Sequence, residues 1–201
     1  MEEVGLLRIT NVLRSEQVLA KSSKMVLRTR NLLAVAAALS CAGANAQIPA
    51  TMHIGDRAPA FHVGKWYRGT PIEALKKGKV YVVEFWATRC PPCIAGIPHL
   101  SSLALRYQGK VTFTAVSVLH WQDGSPNDTS ALVKAFMRTA KGRAMHYNVA
   151  EDTKDGFMVK AWLGPGGYDY IPNAFIVDKN RKIAWKGDPS ELGQALTKIV
   201  N

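Results

Sequence analysis

The stretch VVEFWATRCPPCIAGIP, residues 82–98, decides how the rest of the chain is read. Its first half completes KVYVVEFW, Lys79 to Trp86, a β-branched and aromatic run of the kind that fills a buried central strand. Its second half opens the segment Pro91 to Gln108, where Ile94, Ile97, Leu100, Leu103 and Leu105 recur at mostly helical spacing. Pro91 and Pro92 suit the start of such a helix, whose first N–H groups have no intrahelical partner anyway. Pro98 lies too far in for that and predicts a kink about one turn along. Between strand and helix stand Cys90 and Cys93, two of only three cysteines in 201 residues.

Reading outward, VTFTAVSVL, Val111 to Leu119, is a second apolar strand. Strand, helix and strand in that order argue for a parallel β-α-β unit. Upstream, IGDRAPAFHV, Ile54 to Val63, reads as an entering arm with a short strand, which Pro59 confines to an edge or turn. Downstream of the polar loop HWQDGSPNDT, Asp128 or Thr129 is placed to cap a helix running through Leu132, Val133, Phe136 and Met137. Tyr147 to Ala150 is a short strand, and Asp155 to Leu163 a short helix ended by the breaker cluster Gly164 to Gly167. NAFIVDKNRKIAWKG, Asn173 to Gly187, predicts a hairpin turning around Lys179 to Arg181. DPSELGQALTKIV then supplies a last amphipathic helix with Asp188 or Ser190 near its start. The order predicts an α/β fold, a central mixed sheet with helices on both faces, because apolar middle strands need cover on each side.

The composition, 47% hydrophobic and 20% charged, is that of one domain with a sizeable core. Residues 1–46 do not read as part of it. Arg28 and Arg30, the apolar run Leu32 to Leu39, and Ala44-Asn45-Ala46 form the three parts of a secretory signal, with cleavage expected before Gln47. A start at Met25 gives such a signal its ordinary length, which leaves residues 1–24 as an upstream extension. An ordinary buried helix or a membrane-anchoring one is the alternative, although the apolar run is short for a span; lipid attachment at Cys41 is another. The expected division is therefore 1–46 removed and 47–201 as the folded domain.

Loss of the leader takes away six basic and three acidic residues, lowering the formal charge from +11 to +8. The remaining lysines and arginines are scattered, with no arginine-rich tract and no Gly-rich phosphate loop, so a solvated basic surface is expected and no nucleic-acid partner. An exported chain meets an environment that permits disulfides. Two cysteines this close cannot staple distant parts of a fold, so their bond serves chemistry better than stability.

Cys90 would sit at the N-terminus of the helix, where unpaired N–H groups and the positive end of the dipole favour a thiolate. It is the expected nucleophile, and Cys93, one turn in and more covered, the expected resolving thiol. Half of a zinc site is the competing reading of the spacing, but it wants two more ligands. His99, His120 and His146 are isolated in sequence, and no cofactor is implied. Glu84 falls on the strand face opposite Val83 and Phe85, six residues before Cys90. Buried, such a carboxyl holds its proton to higher pH and can accept one from Cys93; partly exposed, it would pair with a lysine such as Lys79. Pro172, in YDYIPNAF, follows a Gly-rich loop and precedes a strand; a cis bond there would present Ile171 to the cysteines, and an ordinary trans proline is the alternative. Trp86, Arg89 and Trp121 are candidates for the rim of the site, and Trp66, Trp162 and Trp185 for packing.

VVEFWATRCPPCIAGIP, IPNAFIVDKNRKIAWKG and the IGDRAPAF arm, framing nearly all of residues 52–200, together resemble the thioredoxin-like superfamily. The likeness is to its exported thiol–disulfide oxidoreductases of the TlpA/ResA type, which share a redoxin (AhpC/TSA-like) domain. It implies a thioredoxin-like fold with an insertion after the first βαβ unit, and dithiol exchange with cysteine-containing periplasmic proteins and a thiol electron donor or acceptor. In this pattern Cys90 attacks, Cys93 resolves, Glu84 is the buried acid, Pro98 kinks the helix and Pro172 is the cis-proline facing the cysteines. Members of the group include reductants in cytochrome c maturation. Three positions depart from it: Arg89 stands where tryptophan is usual, Gly96 where many cytochrome-maturation members have glutamate, and Asn173 where threonine is frequent. The alternative enzyme is a thiol peroxidase related to the peroxiredoxins, which place threonine three residues before the attacking cysteine; here that residue is Ala87. A thiol metallochaperone is the non-enzymatic alternative.

Overall fold

Seven consecutive residues with no exposed member, Val80–Trp86, form strand β2, the spine of a six-stranded sheet. The computed structural model describes residues 51–118 and 129–200. In chain order these contain β1 (Lys65–Arg68), β2, helix α1 (Pro91–Arg106), β3 (Val111–Ser117), α2 (Thr129–Met137), α3 (Ala140–Arg143) and β4 (Asn148–Glu151). There follow α4, a π-helical turn Val159–Leu163 continued by Gly164–Gly166, then β5 (Asn173–Val177), β6 (Ile183–Gly187), a 3₁₀ turn Pro189–Glu191 and α5 (Leu192–Val200).

The strands lie in the order β1-β4-β3-β2-β5-β6. β2, β3 and β4 run parallel, while β1, β5 and β6 pair antiparallel with their neighbours, giving the mixed sheet that the element order predicts. Alternation along β2 sorts the cover. On the face of Val82, Glu84 and Trp86, Phe136 of α2 packs against Trp86 with ring centroids 5.1 Å apart. On the face of Phe85, Trp162 of α4 meets Phe175 edge to face at 5.6 Å, and Phe85 meets the same ring at 5.8 Å. Helices therefore cover both faces. α1 is tied to the α3–β4 connection through Ser101, whose hydroxyl donates to Ala144 O at 2.6 Å and accepts the His146 N–H at 3.2 Å.

Two elements differ from expectation. The short strand predicted within Ile54–Val63 is instead β1, two residues later; the arm makes only an isolated bridge, Arg57 to Lys182. Pro59 offers no N–H to a ladder, whereas KWYR is free to pair with β4 along the sheet edge. The GPGG cluster does not break its helix at Leu163. Gly164 N–H donates to Val159 O, widening the turn ahead of Pro165, and Gly167 at φ 83° ends the element. Gly166 is required by a close approach: a Cβ there would lie 2.7 Å from the Phe175 ring. The capping residues Asp128 and Thr129, the leader with Cys41, and His120 and Trp121 lie outside the residues whose side chains are described. Asp188 caps as expected, accepting the Ser190 N–H at 2.8 Å.

Asp152, buried after β4, aims α4. Its Oδ1 accepts N–H groups from Thr153 at 2.7 Å and Met158 at 2.8 Å, and its Oδ2 that of Val159 at 3.1 Å. Asp152→Ala strands these donors away from water, at an expected cost of about 2 kcal/mol. The variant should show a lower urea midpoint with an unchanged slope; an unchanged midpoint would contradict the role.

Candidate active site

Where β2 ends, the chain turns through Ala87 to Arg89, with Cys90 N–H donating to Ala87 O at 3.2 Å, and enters α1. Cys90 is the N-cap, in extended conformation at φ −101° and ψ 99°. The next two residues, Pro91 and Pro92, have no N–H to offer. The first donor of the helix is thus the Cys93 N–H, and it points at Cys90 Sγ, 3.2 Å away. Cys90 and Cys93 are joined as a disulfide with their Cα atoms 5.3 Å apart.

Across from them the Ile171–Pro172 bond is cis, in agreement with the pattern, and Ile171 O lies 3.9 Å from Cys90 Sγ. Exposure does not separate the sulfurs as sequence suggested: Cys90 is 6% exposed and Cys93 4%. Their difference lies in the helix N–H that Cys90 alone receives. Around Cys90 the surface is made by Arg89, Pro91 and Pro92, all exposed, and by Tyr170, 54% exposed, beside Ile171.

Glu84 is buried, and burial pushes its carboxyl up from 4.5 to about 8. The parallel and antiparallel registers set Ala115 and Ala174 directly beside it, so its nearest cross-strand neighbours are methyl groups. No described residue hydrogen-bonds to the carboxyl, and Lys79 stands exposed without pairing to it, which removes the surface ion-pair alternative. A near-neutral proton site thus lies on the strand that leads into the dithiol helix.

Trp86 is not a rim residue. It is 1% exposed and packs under α2, because its position shares the inner face with Glu84. Trp66, Trp162 and Trp185 belong to the core or pack against it. α1 runs continuously through Pro98. Among the described residues no three metal-ligating side chains gather, and His99 and His146 are exposed singly.

Sequence reasoning gave no structural role to two residues of the site. Asn173, fully buried, donates from Nδ2 to Tyr170 O at 2.7 Å and so ties the loop before the cis bond. The signal was the polar residue opening an otherwise apolar strand. Tyr147 lies close enough to Glu84 for the carboxylate charge to reinforce burial in pushing its hydroxyl up. Nothing in its local sequence marks it.

The family model described as AhpC/TSA matches residues 54–186. A thiol-disulfide oxidoreductase ResA of Bacillus thuringiensis is 31% identical over 155 residues, 74% of this chain and 80% of that one. Protein FixW of Rhizobium leguminosarum is 27% identical over 152 residues, 75% and 67% of the two chains. The crystal structure of a thioredoxin-family thiol:disulfide interchange protein from Chlorobium tepidum superposes with a TM-score of 0.56 at 25% identity, covering 73% of this chain and 97% of that one. A further structure from that species, described as a putative thiol:disulfide interchange protein DsbE, shares the fold at TM-score 0.53 and 20% identity, covering 75% and 100%. A helix-capping cysteine bonded to its neighbour, on a thioredoxin-like sheet and in this company, places the chain in the AhpC/TSA family as a thiol–disulfide oxidoreductase.

Proposed function

We propose that Cys90 is the attacking sulfur, Cys93 the resolving one and Glu84 the proton acceptor between them. In the reductive direction the Cys90 thiolate attacks one sulfur of a partner disulfide, and the partner's other sulfur leaves as a thiolate. Cys93 gives its proton to the Glu84 carboxylate, and its thiolate attacks Cys90 Sγ. The ring closes and the partner departs with both sulfurs reduced. Oxidation of a partner runs the same steps backwards. Ile171 and the cis Pro172 form the edge on which the partner's segment lies, and Tyr170 and Arg89 border it.

The observation that carries this reading is the Cys93 N–H aimed at Cys90 Sγ: it stabilises negative charge on one sulfur and not the other. Reduced protein treated briefly with an alkylating agent at mildly acidic pH should label at Cys90 alone. Equal labelling of both cysteines would overturn the assignment.

Location and partners belong to the same proposal. The basic, apolar and small-residue succession in residues 28–46 supports export with cleavage before Gln47, leaving 47–201 as the working domain in the periplasm or its equivalent. No helix among the described residues is long and apolar enough to cross a membrane. Partners are then extracytoplasmic proteins bearing cysteine pairs, and reduction of cytochrome c precursors is the use to examine first. Ala87 stands three residues before Cys90, so the hydroxyl expected of a thiol peroxidase is missing there.

A further inference from the structure

Lysines scattered along the sequence gather in space at the pole of the sheet opposite the dithiol. Val80 pairs with Val111 where β2 and β3 begin, so Lys79 and Lys110, one residue ahead of each, stand side by side. Gly78 N–H donates to Lys179 O at 2.7 Å, which brings the β5–β6 turn, with Lys179 and Lys182, against the same end. Lys76 and Lys77 precede Gly78 in its loop. All of these lysines are exposed, and among the described residues none is ion-paired with a carboxylate. Few acids offset them. Asp178 is engaged within its turn, accepting the N–H groups of Asn180 and Lys182 at 2.8 Å each. Asp56, on the adjoining arm, faces His53 Nδ1 at 3.5 Å. Glu73 is exposed beside Lys76 in the loop before β2.

Aliphatic groups are exposed at the same pole. Leu105, in the last turn of α1, is 54% exposed. Ile54, 62% exposed, adjoins Gly55, whose N–H donates to Ile183 O where β6 begins. Leu105 also borders, with Lys76, Lys79 and Lys110, an open cavity of about 830 Å³ whose wall includes Val111 and Phe113. Cys90 follows the other end of β2, seven strand residues or about 20 Å away. Cations around exposed aliphatics match the two layers of an anionic bilayer surface, phosphate outside and acyl chain beneath. Lysine stems can lie along the apolar layer while their ammonium groups reach the phosphates. A nucleic acid would call for aromatic rings on which bases stack, and the exposed apolar residues of this pole are aliphatic.

We propose that this pole docks the protein peripherally on a bilayer containing anionic phospholipid, its lysines on headgroup phosphates and Ile54 and Leu105 in the acyl boundary. The dithiol then faces away from the bilayer and stays open to partners. Docking uses no sulfur, so it stands apart from the roles given to Cys90 and Cys93.

The test is amide hydrogen exchange in the full chain, with and without vesicles of phosphatidylglycerol and phosphatidylcholine. Residues 76–79, 105–110 and 179–182 should exchange more slowly on the vesicles, and residues 89–94 and 169–172 at an unchanged rate. Position-resolved rates separate this contact from any that residues 1–50 make. Lys79→Gln with Lys110→Gln should raise the lipid concentration for half of the slowing about 25-fold, about fivefold per lysine. Ile54→Ser with Leu105→Ser should raise it about tenfold. Lys154→Gln with Lys160→Gln removes as much charge from exposed positions beyond the end of β4 and should leave it unchanged. Slowing at residues 89–94 in place of the pole would overturn the docking, as would equal losses from the two lysine pairs or an unchanged lipid requirement in either pole variant. Slowing by polyglutamate and not by the vesicles would assign the pole to an acidic protein and overturn it too. Cys90→Ser should dock as wild type does, so failure of the dithiol chemistry and failure of docking are read separately.

Discussion

Cys93→Ser protein is expected to accumulate covalent adducts with disulfide-bearing partners, all of them through Cys90, whereas Cys90→Ser should form none. The asymmetry follows from the start of α1. Two prolines leave the Cys93 N–H as the first donor of the helix, and that donor faces Cys90 Sγ. A thiolate at position 90 is the species that attacks; a serine hydroxyl there stays protonated and inert in exchange. Turnover in Cys90→Ser should fall by on the order of 10³-fold or more, as for the loss of other nucleophiles. In Cys93→Ser the first step survives and the second is lost, so the mixed disulfide persists until an external thiol resolves it. Non-reducing electrophoresis of the two variants with cysteine-containing extracts decides the matter. Adducts through Cys93 in Cys90→Ser would reverse the roles.

Glu84→Gln should change both stability and rate. The folded protein holds this carboxyl up at about 8 against 4.5 for an unburied one, because the charged form is desolvated. The folded state therefore binds the proton more tightly than the unfolded state. Any stabilisation this lends is complete below about pH 4.5 and is lost as pH rises to about 8. Across that window wild-type stability should decline, from this residue alone, by on the order of 5 kcal/mol. An amide cannot ionise, so the difference in denaturation midpoint between Glu84→Gln and wild type should grow in favour of the variant between those limits and level off above them. Its dithiol turnover should drop about 10²-fold, with alkylation of Cys90 retained. A constant stability difference together with unchanged turnover would return Glu84 to simple packing.

The parts of this molecule that were legible in sequence are those whose physics is local. KVYVVEFW is a buried strand by composition, and the prolines and spaced aliphatics after it are a helix start, so β2, α1 and the cysteines' place between them follow directly. The same alternation put Glu84 on the face opposite Val83 and Phe85, and the structure shows it buried there. What escaped depends on partners distant in the chain. Gly166 was read as a breaker, yet its missing side chain serves an approach to Phe175 that no spacing rule contains. The four residues of β1 are too short to stand out until β4 pairs with them. Trp86 at a strand end is ambiguous until Phe136 is set against it. Tyr147 comes within reach of the Glu84 charge only because β4 and β3 are set beside β2. The near-equal burial of the two sulfurs was likewise invisible, since the cover over Cys90 comes in part from the Ile171 loop.

The central claim is that the mouth of α1 holds Cys90 as an anion poised to exchange with Cys93. A pH titration of thiolate ultraviolet absorbance in the reduced protein, repeated on Cys93→Ser to assign the steps, tests it most directly. The account predicts that Cys90 ionises at lower pH than an ordinary cysteine thiol and well before Cys93. Ionisation of Cys90 at or above the ordinary thiol range would contradict it.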